Sequence, residues 1–335
     1  MKVFLTGAAG FIGFHTAKKL LESGCEVYGY DSMNDYYAPE YKWARLTQLK
    51  EFNGFRFTQG LLEDSDQLKK SWLEFGPTHT IHLAAQAGVR YSNINPGAYV
   101  TSNLAGFQNI LELVRHHPVE NFIYASSSSV YGNRVETPFK ESSPVDNPAS
   151  IYAATKLSNE IMAKTYCNLY DIPATGLRFF TAFGPFSRPD MAIFKFINLM
   201  KHRKPIPVYN EGHLSRDFTY IDDIVSGILL ALRRAERNEI YNLGFGNPVK
   251  LLTLIETLES VSGIKANFEM LPMQQGDVAI TYADITKSRT KLGYNPKTNL
   301  RDGIEKFYTW YKDYHQDRTR VSPSRASRPQ SRPPS

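Results

Sequence analysis

Residues 2–13 read Lys2-Val3-Phe4-Leu5-Thr6-Gly7-Ala8-Ala9-Gly10-Phe11-Ile12-Gly13. An apolar strand runs into glycines spaced G-x-x-G-x-x-G and then into a helix. A strand that turns on glycine into a helix N-terminus aims backbone N–H groups and the positive helix end at one spot, where a pyrophosphate fits. Gly7 permits the tight turn, Gly10 lets phosphates approach the backbone, and Gly13 lets helix and strand pack closely. Phe11 and Ile12 belong to the same cofactor-contacting turn. Glycine-rich turns are common, so the context carries the weight. Glu26-Val27-Tyr28-Gly29-Tyr30 reads as the second strand of a βαβ unit and ends in Asp31, 18 residues after Gly13. An acid there holds the adenosine ribose hydroxyls and repels a 2′-phosphate, which favours NAD over NADP.

The first half continues the alternation. Candidate strands are 2–6, 26–30, 55–58, 79–83, 121–126 and 174–179, with helices near 11–23, 39–50, 64–75, 97–116 and 150–170. Such alternation implies an α/β fold, a Rossmann-type doubly wound parallel sheet covered on both faces, with ligands beyond the carboxyl ends of its strands. After about residue 180 the elements become short and irregular, with helices near 190–202, 221–235, 250–262 and 299–314. The expected organisation is a dinucleotide-binding domain over 1–180, to which later segments return. A smaller C-terminal α/β substrate-binding domain covers 181–315, and a tail covers 316–335.

The chain has 335 residues and a net charge of +6, but residues 316–335 hold five arginines against one aspartate, leaving +2 for the rest. That Ser/Pro/Arg-rich tail cannot bury enough surface to order itself, and the basic balance is no argument for nucleic acid. No apolar run reaches membrane-spanning length, and the glycine turn interrupts the N-terminal apolar run too early for a signal peptide. Cys25 and Cys167 form neither a disulfide framework nor a metal cluster. The expected setting is a reducing cytoplasm, without metal, membrane or nucleic-acid partner.

Tyr152 and Lys156 stand four residues apart, on one face of a helix. That helix follows a strand, Asn121-Phe122-Ile123-Tyr124-Ala125, which ends in Ser126-Ser127-Ser128-Ser129. These residues carry a resemblance, together with Gly7/Gly10/Gly13, His82-Leu83-Ala84-Ala85 and Arg216-Asp217-Phe218-Thr219-Tyr220-Ile221-Asp222-Asp223. The chain resembles an extended short-chain dehydrogenase/reductase of the NAD-dependent sugar-nucleotide epimerase group, over residues 1 to about 315. The resemblance implies that Tyr152 is the acid/base on a sugar hydroxyl. It implies that Lys156 binds the nicotinamide ribose and lowers the tyrosine pKa, and that Ser127 shares the substrate hydrogen bond. It places Gly7, Gly10, Phe11, Ile12, Gly13, Asp31, Asp64, Ala84 and Ala85 around NAD. A free tyrosine titrates near 10, so a nearby positive charge is what makes it a base at neutral pH.

The family's 4,6-dehydratases resemble one another in an Asp-Glu pair after the catalytic Ser/Thr; here those positions are Ser128 and Ser129. Without an acid, elimination lacks a base, whereas epimerisation at carbon 4 needs none beyond Tyr152. Asn34-Asp35-Tyr36-Tyr37, Ala85-Gln86-Ala87-Gly88-Val89-Arg90-Tyr91-Ser92 and Leu271-Pro272-Met273-Gln274-Gln275-Gly276-Asp277-Val278 resemble UDP-glucuronate 4-epimerases. The family implies Thr181 and Arg188 near the sugar carboxylate, Arg216 on the diphosphate and Asp277 near the UDP ribose. It adds Arg90, Ser128 and Ser129 to the UDP-sugar site. For Arg216 a salt bridge to Asp222 or Asp223 is the structural alternative. An acid common after the third strand is replaced by Leu61, although Asp64 remains. The expected activity is 4-epimerisation of UDP-glucuronate. The alternatives are another UDP-hexose, such as an N-acetylhexosamine, or a non-catalytic NAD or sugar-nucleotide sensor. The resemblance implies a homodimer through helices near 97–116 and 150–170.

Overall fold

The computed structural model describes residues 1–274 and 277–320. Gln275 and Gly276 of the Leu271–Val278 segment, and residues 321–335 of the expected tail, lie outside the described residues. In chain order the strands are β1 (Lys2–Thr6), β2 (Glu26–Asp31), β3 (Phe55–Gln59), β4 (His79–His82), β5 (Asn121–Ser127), β6 (Ala174–Phe179), β7 (Thr181–Phe183), β8 (Ile206–Tyr209), β9 (Ser215–Tyr220), β10 (Glu239–Leu243), β11 (Pro248–Lys250) and β12 (Phe268–Leu271). The helices are α1 (Phe11–Glu22), α2 (Glu40–Leu49), α3 (Ser65–Phe75), α4 (Val89–Ile94), α5 (Pro96–Tyr99), α6 (Gly106–His116), α7 (Ile151–Tyr170), α8 (Ala192–Lys201), α9 (Ile221–Leu232), α10 (Leu251–Ser262), α11 (Thr286–Leu292) and α12 (Leu300–Arg320).

The main sheet is parallel, with strand order β10-β6-β5-β4-β1-β2-β3. Side chains alternate across it, as the strand period of 2 requires. Val3 and Leu5 of β1 pack in one apolar cluster with Phe14, Ala17 and Leu20 of α1 and Ile224 and Ile228 of α9. Phe4 packs in the other, with Leu68 and Trp72 of α3, Phe107 and Leu111 of α6 and Ala163 of α7. Both faces are thus apolar, which is why these strands read as continuous apolar runs.

Strand order reverses between β1 and β4, which opens a crevice at their carboxyl ends. Gly7 closes that junction: its φ is +74°, and a Cβ there would lie 2.7 Å from the Ala84 nitrogen just beyond β4. Gly13 packs the first turn of α1 onto the Gly7 carbonyl, inside van der Waals distance of any added Cβ.

Sequence periodicity finds six strands of this sheet; the seventh, β10, comes from the irregular half and pairs with β6 (Leu243 opposite Phe179). Two small sheets, β11-β9-β7 and β12-β8, lie beyond the main one. The helix expected over 97–116 is α5 and α6 joined by a π-helical turn at Val100–Ala105. The expected tail also starts too early. α12 continues to Arg320, because Trp310 stacks on Tyr314 at 5.3 Å, Tyr314 on Tyr41 at 5.3 Å, and Tyr311 packs against His315 at 4.4 Å.

Gly13→Ala forces the Gly7 carbonyl out of the turn. The expected cost is about 2 kcal/mol, seen as a lower urea midpoint with loss of co-purifying dinucleotide; an unchanged midpoint contradicts the packing argument.

Candidate active site

The cofactor side is built by the glycine turn. Gly7 N–H donates to the Tyr30 carbonyl at 2.7 Å and Gly10 N–H to the Gly7 carbonyl at 2.9 Å, fixing the chain as it enters α1. The α1 N-terminus has neither a side-chain cap nor an acid in its first turn. Its positive end and its free N–H groups at Phe11, Ile12 and Gly13 therefore suit a pyrophosphate. Buried Asp31 accepts from Ala9 N–H at 3.1 Å and Met33 N–H at 2.9 Å through different oxygens. Each oxygen keeps a lone pair for a ribose hydroxyl. These residues fit a dinucleotide such as NAD, and Gly7, Gly10, Phe11, Ile12, Gly13 and Asp31 face one cavity of about 740 Å³.

Ala84 and Ala85 line the same cavity, and the Ala84 N–H is held by the Thr6 hydroxyl at 3.2 Å. Asp64 is spent elsewhere. Its carboxylate caps α3, accepting from Gln67 N–H at 3.0 Å. Glu63, not Asp64, stands on the cavity wall beside Leu61 and Leu62. Asp64, expected among the residues around NAD, has one carboxylate oxygen on this cap: an aspartate three residues before an amide of the first helical turn satisfies that turn.

The chemical centre sits where β5 ends. Ser127 is extended and caps a 3₁₀ turn over Ser128–Tyr131. Its Oγ accepts from Ser129 N–H at 3.2 Å and from the Ser129 hydroxyl at 2.9 Å, so the serine run is an ordered turn. α7 starts at the Ser150 cap, whose oxygen accepts from Ala153 N–H at 3.1 Å. The helix then turns Tyr152 and Lys156 toward β5. Lys156 Nζ donates to the Ala125 carbonyl at 2.9 Å.

Burial lowers the Lys156 pKa to about 8, with Glu160 one turn further along pulling upward. Burial also raises the Tyr152 phenol; a hydrogen bond from Ser127 and the Arg188 charge oppose it. Burial thus sets the direction of the phenol here. The lysine is tied to a backbone carbonyl, and desolvation outweighs what the neighbours supply.

On the sugar side, Ser128, Ser129, Thr181, Arg188, Arg216 and Asp277 all line the cavity. Arg216 Nη1 donates to the Ser215 carbonyl at 2.9 Å, and the cation faces both Asp277 and Arg90. It makes no bridge to Asp223, whose carboxylate instead accepts from the Lys297 and Thr298 amides, both at 3.0 Å. Arg90 is off the walls: it pairs with Asp277 at 3.0 Å and lies over the Tyr209 ring at 5.1 Å. Arg90, expected in the UDP-sugar site, is thus paired with Asp277, which lines the cavity.

Three contributors carry no local signal. Fully buried Arg45 donates to the carbonyls of Ala9 (2.8 Å) and Phe186 (2.6 Å). Asp190 and Tyr36 bracket Arg188. Tyr36 and Asp190 lie in segments the resemblance singled out, and Arg45 does not.

Uncapped helix end, strand-end acid and a Tyr–Lys–Ser cluster on one cavity define a dinucleotide-dependent enzyme working on hydroxyl and carbonyl groups. Comparison with known proteins narrows this: the NAD dependent epimerase/dehydratase family matches residues 3–244, and the chain belongs to it. Protein CapI of Staphylococcus aureus is 45% identical over 334 residues, covering 94% of this chain and all of the relative. The probable UDP-glucuronate 4-epimerase of Rhizobium meliloti (strain 1021) is 42% identical over 341 residues, 96% of this chain and all of the relative. The solved UDP-glucuronic acid 4-epimerase from Bacillus cereus, in complex with UDP-glucuronic acid and NAD, is 36% identical with a TM-score of 0.88, covering 94% of this chain and all of that one.

The Lys156 shift sets a pH dependence. The unfolded lysine holds its proton to about 10.5 and the folded one to about 8, so between those values the unfolded state binds more protons and stability rises with pH. Urea midpoints of wild type relative to Lys156→Met are expected to climb from pH 8 to 10 and to run parallel below pH 7. A difference that does not vary with pH contradicts the burial of this charge.

Proposed function

We propose that the chain interconverts UDP-glucuronate and UDP-galacturonate as an NAD-dependent 4-epimerase, through a 4-keto sugar. The observation that carries this is one cavity with Tyr152, Lys156 and an acid-free Ser127–Ser129 turn at its centre and Thr181 and Arg188 on its sugar wall. The relatives' printed activities point the same way.

NAD, when bound, supplies a hydride acceptor and then donor, and its positive ring adds to the charges favouring tyrosinate. Tyr152 takes the proton from the carbon-4 hydroxyl and returns it after the keto sugar has presented its other face. Lys156 holds the adjoining ribose and Ser127 the sugar oxygen. Ser128 and Ser129 stand where dehydratases of the family carry an acid pair, so these two positions offer no base for the proton at carbon 5 and elimination is not served. Thr181 and Arg188 grip the uronate carboxylate, since a guanidinium matches a carboxylate geometrically. Gly7, Gly10, Gly13 and Asp31 hold NAD, Arg216 the diphosphate, and Asp277 the UDP ribose.

We infer a homodimer through α6 and α7. Ile161 and Leu169, two turns apart on α7, are exposed, as are Tyr170 and Val100. Ile161 and Leu169 on α7, with Val100 in the π-helical turn that leads into α6, give the exposed apolar surface that suits a second copy; among the described residues no helix is long and apolar enough to cross a membrane. The smaller sheets β11-β9-β7 and β12-β8 supply the sugar-nucleotide domain.

UDP-glucuronate incubated with the protein is expected to give UDP-galacturonate without net NADH. Tyr152→Phe should slow turnover about 10²- to 10⁴-fold while leaving substrate binding intact. Chromatography of the products decides: no galacturonate from wild type refutes the assignment. Ile161→Glu with Leu169→Glu should sediment as monomer; an unchanged sedimentation coefficient excludes this face.

A further inference from the structure

Arg188 and Asp190 lie in the loop between β7 and α8. Arg188 Nε donates to Asp190 Oδ1 at 3.0 Å and Nη2 to Oδ2 at 2.7 Å, a bidentate pair. Tyr36, from the loop after β2, donates its hydroxyl to the same Oδ2 at 3.2 Å. Its ring lies 5.7 Å from the guanidinium carbon. The tyrosine is itself fixed, packed on Tyr91 at 4.9 Å and seated against Gly88, where any Cβ would collide with its hydroxyl. Arg188 and Tyr36 line the sugar cavity and Asp190 does not, so the acid stands behind the cation. Among the described residues Arg188 Nη1 makes no hydrogen bond, leaving that edge for a ligand.

An arginine side chain has many rotamers to lose on being ordered. Asp190 removes most of them: with Nε and Nη2 engaged, the guanidinium plane is set. Burial works against charge on both partners. The mutual attraction and hydrogen bonds nonetheless hold the Arg188 cation above, and the Asp190 carboxyl below, their ordinary values. Both are therefore ionised when a substrate arrives.

We propose that Asp190, held by Tyr36, is the positioning residue for Arg188: it fixes the guanidinium so that its free edge meets the sugar carboxylate and keeps the 4-keto intermediate from losing carbon dioxide. This rests on the reading above that the substrate is a UDP-uronate. A 4-keto uronate is a β-keto acid. When the C5–C6 bond aligns with the carbonyl π system it breaks, its electron pair passes into the C4 enolate, carbon dioxide departs, and C5 takes a proton. A carboxylate pinned with C5–C6 near the carbonyl plane cannot follow that course. Orientation, more than charge, is what the pin supplies, and orientation is what Asp190 gives to Arg188.

The test is the product partition from UDP-glucuronate, UDP-pentose against UDP-galacturonate, measured with KM, kcat and melting temperature. The proteins compared are wild type, Arg188→Ala, Asp190→Ala, Asp190→Asn and Tyr36→Phe. Asp190→Ala is expected to raise the pentose fraction and KM about tenfold each, since small misplacements of a positioning group cost that much or more. Asp190→Asn, which keeps one acceptor, should fall between it and wild type, and Tyr36→Phe should raise the fraction about twofold. Asp190→Asn and Tyr36→Phe give the reading should Asp190→Ala fail to fold. Variants that lower kcat or the melting temperature while keeping the wild-type pentose fraction overturn the inference. A wild type that forms no galacturonate removes the function it rests on, a result distinct from active wild type with unchanged variants.

Discussion

The structure depends on a buried cation that anchors two loops at once. Arg45 of α2 is fully buried, and among the described residues it makes no salt bridge. Its guanidinium hydrogen-bonds the Ala9 carbonyl within the glycine turn, the Tyr37 hydroxyl at 2.7 Å, and the Phe186 carbonyl through both Nε and Nη2. A buried charge is tolerable only when its donors are satisfied. Here they are satisfied by carbonyls that would themselves be orphaned without it, each at a cost of about 1–3 kcal/mol. His15 adds a contact to the Pro185 carbonyl at 2.9 Å, its pKa lowered to about 4 by burial. The glycine turn and the loop that bears Arg188 are thereby tied together. Phe186, at φ 58°, keeps its unfavourable backbone conformation because Arg45 clamps its carbonyl.

The centre of the site is arranged around desolvation. Lys156 and Tyr152 are both pushed toward their neutral forms by burial. Behind them Glu160 and Arg178 form a buried pair at 2.7 Å, with the Ser126 hydroxyl on the same carboxylate at 2.5 Å. Arg178 continues to the Tyr131 ring at 4.8 Å, and Tyr131 to Asn242 at 2.7 Å. The carboxylate one turn from Lys156 supports the lysine's charge while being neutralised on its far side. A positive charge nearby would act on the Tyr152 phenol against burial, favouring the tyrosinate.

Local features were legible before any coordinates. β1 and β6 fall where apolar runs place them, and Gly7, Gly10, Gly13, Asp31, Tyr152 and Lys156 meet at one cavity because strand ends and helix faces follow from short-range periodicity. What stayed hidden is long-range. β10 lies some 60 residues beyond its partner β6 and carries no signal of that pairing. That Asp64 caps α3 was hidden too, because the use of its carboxylate depends on where the helix begins. Arg45 reveals itself only when loops distant in the chain are brought together, and Asp190, although two residues from Arg188, shows its role only once Tyr36 arrives on the same carboxylate.

The late arrival of β10 bears on how the chain is made. Until residues 239–243 leave the ribosome, β6 has β5 on one side and bare backbone donors and acceptors on the other. Domains fold from the N-terminus as they emerge, so the nascent nucleotide-binding half spends part of synthesis with an open, apolar edge of the kind that templates aggregation. That exposure ends only when the distant strand closes the sheet. Slower synthesis through residues 180–243 would lengthen that exposure, and faster synthesis would shorten it.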